Sequence, residues 1–184
     1  ALRVSYPLSY DRRPRYSRLR DGWPSAKQGR CMSHIVDQFY RAVRTGDVAA
    51  MDALVAEAFC LICPTQNHVL SGVYQGKQRF FEEVLPHVFG CVNPDEITFC
   101  AEHQIVVDTG EVAVAMAQNR GVAMTGNAYE QTYVHIFKIR DGQIEALIEG
   151  FDTALANTAL WGEREPLVPD TPSSLSNLSY FQEA

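Results

Sequence analysis

The sequence predicts an α+β domain in which helices come first and an antiparallel sheet follows. Three observations carry this. Apolar residues recur at helical spacing between Ile35 and Val88. From Ile97 to Asp152 they alternate with period two, and Asp141-Gly142 marks a hairpin turn. A chain of 184 residues that is 46% hydrophobic and 21% charged has the make-up of one ordinary globular domain with some excess at its ends.

The elements follow in order. Residues 1–31 show neither periodicity, are broken by Pro7, Pro14 and Pro24, and read as a disordered or upstream extension, with Met32-Ser33 as the natural start. The domain is expected over 32–162. Ile35, Val36, Phe39, Tyr40 and Val43 form the stripe of a first helix. Gly46 suits its C-terminus, and Asp47 caps a second helix that buries Val48, Met51, Leu54, Val55 and Phe59. A short strand, Cys60 to Cys63, stops at Pro64. "GVYQGK" then leads into a third helix through Phe80, Phe81, Val84, Leu85 and Val88, which Pro86 should kink or shorten. Two antiparallel pairs follow, the second spanning 129–140 and 143–152, then a short helix from Thr153 to Leu160. Residues 163–184 read as an extended or loose tail.

Charge is uneven. Residues 1–31 carry eight Arg/Lys against two Asp, a net of +6, and the rest carry eight against twenty acids, −12, which together give −6. An acidic body repels phosphate backbones, so nucleic acid is not an expected partner. No membrane partner is expected either, since the longest apolar runs, such as "VAVAMA", fall far short of the ~18 residues a span needs. Cys60 and Cys63 form a C-x-x-C in what reads as a strand, where positions three apart face opposite ways, so neither zinc nor a redox pair is expected. Buried free thiols in a reducing cytoplasm are the better account.

The Asp-Gly turn pairs Arg140 with Gln143 and thereby sets the register. His135 then lies opposite Ile148, Tyr133 opposite Gly150 and Gln131 opposite Asp152, on a face that is dry near the turn and polar away from it, as a cavity-lining sheet would be. Glu149 falls on the other face with Ile136, Leu147 and Phe151, which suits a subunit contact.

Helix-"TGD"-helix, a short strand ending at a proline, "GVYQGK", and "TGNAYEQTYVHIFKIRDGQIEALIEGFDTAL" together resemble the nuclear transport factor 2-like superfamily, most of all its SnoaL-like polyketide cyclase and ketosteroid isomerase-related group. The resemblance covers about residues 33–161. It implies a cystatin-like, ketosteroid isomerase-like roll: a strongly curved antiparallel sheet wrapped in a cone around the N-terminal helices, with a pocket between them, often as a homodimer. It also implies cofactor-free proton transfer beside a carbonyl, with a tuned carboxylate as base and fixed donors for the enolate. Two positions depart from the isomerase. Cys63-Pro64 stands where its base would be, and Phe39 where its oxyanion tyrosine would be, with Tyr40 one step around the helix. SnoaL-type cyclases place an acid late in the sheet, and Asp152 or Glu149 is the counterpart.

Register selects Asp152 as the base and His135 as its proton partner, although Asp152 also suits a helix cap and His135 a satisfied core position. Tyr133, Gln131, Arg120, Gln118, Tyr40 and His103 are the substrate-binding candidates. Packing or a salt bridge is the plainer role for the last four. His68 lies in a loop and reads as incidental. No pair among His68, His103 and His135 has helical metal-ligand spacing, so no metal or other cofactor is expected. The expected partner is a small apolar carbonyl-containing ligand. The expected function is cyclisation, isomerisation or dehydration, or alternatively ligand binding or dimerisation without chemistry.

Overall fold

A computed structural model describes residues 34–181. The segment 1–31 lies outside them. Helix α1 (Ile35–Thr45) starts at His34, whose Nδ1 accepts the Val36 N–H, and ends where Gly46 turns left-handed at φ 65°. Asp47 caps α2 (Val48–Leu54) by accepting the Ala50 N–H. The chain becomes extended at Val55, not near Cys60, so β1 runs Val55–Cys63. Val55 and Phe59 therefore belong to the strand, and Val48 is left exposed. The β-branched Val55 is the first residue that gains more from a place in the sheet than from another helical turn.

"GVYQ" is itself a strand, β2 (Gly72–Gln75). Helix α3 then runs Lys77–Arg79, widens into a π turn over Phe80–Val84, and finishes as Leu85–Phe89. Pro86 does not stop the helix. The proline ring would clash with the Glu82 carbonyl in an ordinary turn, and the π turn, closed by Leu85 N–H on the Phe80 carbonyl, comes immediately before it. Strands β3 (Val92–Asp108), β4 (Val112–Ala123), β5 (Thr132–Arg140) and β6 (Gln143–Phe151) follow, then α4, which begins as Thr153–Leu155 and continues as a π turn over Ala156–Trp161.

The six strands form a curved, unclosed sheet in the order β2-β1-β6-β5-β4-β3. Every neighbour is antiparallel except β1 and β6, which run parallel. Val36, Phe39, Tyr40 and Ala42 of α1 and Met51 of α2 are buried in one core with the inner face of the sheet. The C-x-x-C divides as strand geometry requires: Cys63 enters that core and Cys60 joins a smaller cluster on the outer face.

Residues 164–171 lie along β2 as a strap, with Val73 N–H on Thr171 O, Asp170 N–H on Val73 O and Leu167 N–H on Val69 O. Gly72, at φ 97°, has no room for a Cβ beside the Thr171 carbonyl and Pro169. A short 3-10 helix, Leu175–Phe181, ends the described chain.

Candidate functional site

The last hairpin positions the site, and one extra residue decides its composition. Asp141 and Gly142, both at positive φ, make the tight turn. Arg140 pairs with Gln143 and Ile139 with Ile144. A β-bulge then shifts β6 by one, so Lys138 faces Ala146, His135 faces Glu149 and Tyr133 faces Phe151. Strand β5 keeps its expected inner face of Tyr133, His135 and Phe137. Strand β6 turns over: Leu147, Glu149 and Phe151 point inward, and Gly150 lies outside against Val134. The acid that meets the imidazole is therefore Glu149. Leu147 and Phe151 are lost as subunit contacts.

His135 is 3% exposed and bonded at both nitrogens. Its Nδ1 lies 2.8 Å from the Tyr40 hydroxyl, and its Nε2 lies 3.1 Å from Glu149 Oε2. The Tyr133 ring stacks on it at 5.2 Å and 14°. Burial, followed by the nearby Cys100 and Glu149, raises the Tyr40 pKa far above the usual phenol value, so Tyr40 keeps its proton. The self-consistent assignment has Tyr40 donating to Nδ1 and Nε2–H donating to the Glu149 carboxylate.

This pair sits on the wall of a cavity of about 80 Å³. Its other walls are apolar, among them Phe39, Met51, Leu61 and Phe99 from the core and Phe80 and Val84 from the π turn of α3. Tyr133, His135, Glu149 and Cys100 are its polar members. Cys100 occupies a bulge of β3 at φ 48°, where its N–H donates to Asn119 Oδ1 at 2.9 Å. That bond fixes the Asn119 amide, so Nδ2 donates to the Tyr133 hydroxyl at 3.3 Å. Asn119 is wholly buried. Burial also raises the phenols of Tyr133 and, to about 12, of Tyr129, which meet at 3.2 Å.

The other expected site residues lie elsewhere. Asp152 is exposed, and its Oδ1 accepts the N–H groups of Ala154 and Leu155, which makes it the cap of α4. Gln131 is buried but spends its amide on the backbone N–H and C=O of Asp152. Gln118 and Arg120 are on the outer face, where Arg120 pairs with Glu102 at 3.1 Å. In β4 the inward phase is Ala113, Ala115, Ala117 and Asn119, not the bulkier Val112, Val114 and Met116. Small residues fit where the rings of Phe39, Tyr40 and Phe137 crowd the interior. His103 bridges Asp37, at 2.8 Å, and Arg44 and lies outside the cavity wall. His68 is not incidental. Burial lowers its pKa, and its Nε2 accepts the Trp161 indole N–H at 3.2 Å.

Comparison with known families settles the lineage. The SnoaL-like domain model matches residues 36–147, more than half the chain. The chain belongs to the SnoaL-like domain family. Solved structures agree on the fold. An NTF2-like protein of unknown function from Burkholderia pseudomallei superposes with TM-score 0.55 at 20% identity, covering 65% of this chain and 89% of that one. A cystatin-like protein from Xanthomonas campestris gives 0.57 at 20% identity, covering 66% and 91%. A Pseudomonas putida protein provisionally named a polyketide cyclase gives 0.56 at 18%, covering 68% and 95%. No curated protein sequence matches. Among the described residues of this SnoaL-like domain, no three His, Cys, Asp or Glu side chains gather as a metal would require, and no helix is long and apolar enough to cross a membrane. Glu149 lies just beyond the matched segment, so its place beside His135 comes from the geometry alone.

Proposed function

We propose that this SnoaL-like domain is a cofactor-free enzyme that moves a proton next to a carbonyl, with Glu149 as base and His135 as its partner. The observation that carries the reading is the Tyr40–His135–Glu149 chain set in an otherwise apolar cavity. A carboxylate in such a wall takes a proton from the carbon beside the carbonyl, leaving an enolate. His135 Nε2–H steadies the carboxylate, and the resulting carboxylic acid returns its proton at the same carbon or at another. Return elsewhere is isomerisation, and attack by the enolate carbon on a second carbonyl is cyclisation. The Tyr133 hydroxyl, which receives a hydrogen bond from Asn119, serves in this reading as the donor for the enolate oxygen. The substrate is a compact apolar carbonyl compound.

The cavity volume favours a second reading. Drug-sized ligands occupy about 300–1,000 Å³, and about 80 Å³ admits only a few heavy atoms unless the α3 wall moves. A domain of this fold that packs His135 as a satisfied core residue and carries out no chemistry would look the same at rest.

Deuterium uptake from solvent into small enolisable ketones, followed by NMR, separates the two. The enzyme reading requires uptake that falls by about 10²–10⁴-fold in Glu149→Gln, falls in His135→Ala, and survives in Asp152→Asn. Uptake unchanged in Glu149→Gln, or none with any ketone, would overturn it.

A further inference from the structure

Of the cavity walls, α3 is the one the fold holds least. Phe80, Val84, Leu85, Val88 and Phe89 line the cavity, and the last three are only half-buried, so solvent comes nearest there. A side chain facing a void has few partner atoms on that side and little dispersion attraction to lose by moving. Helix α1, which forms another wall, is bonded to the sheet by Tyr40 on His135 and by Asp37 on His103. Helix α3 is pinned at its first residue, where Lys77 meets Asp52 at 3.0 Å and Glu57 at 3.4 Å. Beyond Lys77, among the described residues, the hydrogen bonds and ion pairs of its side chains to other elements go to the strap. The strap crosses the helix from end to end. Just past the last turn, Arg164 Nη2 donates to the Gly90 carbonyl at 2.9 Å, and within it His87 Nε2 donates to the Glu165 carbonyl at 3.1 Å. At the first turn Arg79 pairs with Asp170 and donates to the Val168 carbonyl.

We propose that the strap is a latch on α3, and that its release lets a single-ring apolar carbonyl compound reach Glu149. The chemistry of the ligand rests on the function proposed above; the latch rests on the contacts alone. Size requires an opening. Benzene fills an apolar cavity of about 150 Å³, and the closed cavity is about 80 Å³, so one ring does not fit until α3 moves. The Arg79–Asp170 contact is of a kind that breaks readily, since both side chains reach solvent and such ion pairs contribute little each. The open form is then a minor state, populated at roughly 0.1–10%, that a ring-sized ligand draws forward. A weaker latch raises the open fraction and lowers the apparent Kd by the same factor.

Two thiols report on the latch. Cys100 lines the cavity, whereas Cys63 is fully buried in the same core away from it and senses only global unfolding. The full chain and its Arg79→Met variant are treated with methyl methanethiosulfonate, and each cysteine is followed by peptide mass mapping. Cys100 should be modified about 5-fold faster in the variant, with Cys63 unchanged. Asp170→Asn should also speed Cys100, and the double variant should gain no more than Arg79→Met alone, because both substitutions cut one contact. Acetophenone should protect Cys100, with a Kd about 5-fold lower in Arg79→Met than in the parent. Asp170→Asn alone serves if Arg79→Met is misfolded by circular dichroism. Cys100 and Cys63 accelerating together, a Cys100 no faster in either variant, or acetophenone that fails to bind or binds both proteins equally would each overturn the proposal. Thiol modification needs no turnover, so a failed latch is told apart from a failed enzyme reading, which deuterium uptake decides.

Discussion

A buried imidazole flanked by aromatic rings stays satisfied only while both its partners hold their places. Tyr40→Phe leaves His135 Nδ1 without its donor, 2.8 Å away at present, and should cost about 1–3 kcal/mol. Urea denaturation measures it, and no loss of stability would mean that the hydroxyl is not bonded there. Asp152→Ala removes a cap from α4 and should cost about 1 kcal/mol without altering deuterium uptake. Uptake that disappears would return the catalytic role to Asp152. The carboxylates Glu149 and Asp152 also mark how much of the site was legible in the sequence. His135, Tyr133 and Tyr40 could be placed from the β5 alternation and the α1 stripe. Glu149 against Asp152 could not, because both phases of residues 144–151 are apolar: Ile144, Ala146 and Ile148 in one, Leu147 and Phe151 in the other.

At the scale of elements, the bulge after Ile144 sets which acid faces inward. Deleting Glu145 should take out the bulge residue and leave a regular two-residue hairpin in which Lys138 still pairs with Ala146 and His135 with Glu149, since the pairs beyond the bulge are already displaced by that one residue. The expected result is a folded chain that keeps deuterium uptake, with a His135 side-chain NMR environment that still responds to Glu149→Gln. A response that is lost would show that the register had slipped. The hairpin itself was plain from Asp141-Gly142, because a tight turn needs residues that tolerate positive φ. A bulge needs no such residue and leaves no mark. The same holds for β4, where alanines, not the larger aliphatics, face the crowded interior. Pro86 was legible as a disturbance of α3, but its outcome was set by packing: a widened turn keeps Phe80 and Val84 on the cavity wall where a break would lose them.

For the molecule as a whole, the order of helices and then strands gave the fold class, because period and turn chemistry are local. The strap along β2 and the partner of β1 depend on distant residues and were not legible. Acid should loosen the strap in two stages. His68, whose folded pKa is lowered chiefly by burial, takes a proton more readily in the unfolded chain, so the stability it contributes falls as pH drops below about 6.5 and is constant above. A protonated Nε2 would also oppose the Trp161 N–H. Asp170 is lowered first by the Gln75 N–H and then by Arg79, so its contribution is complete above about pH 3.9 and is lost as pH falls through the folded value. Hydrogen exchange of the Val73 and Leu167 amides should accelerate first below about pH 6.5 and again below about pH 4 once corrected for intrinsic rates. Protection that is flat across both windows would refute this. The parallel pairing of β1 with β6 has its own consequence for synthesis. A ribosome must deliver nearly the entire domain before Leu61 and Ile62 can meet Leu147 and Ile148. Until then the first helices and the short β1–β2 ribbon wait on the emerging polypeptide with an open flank, and a chaperone's interest would be keenest there.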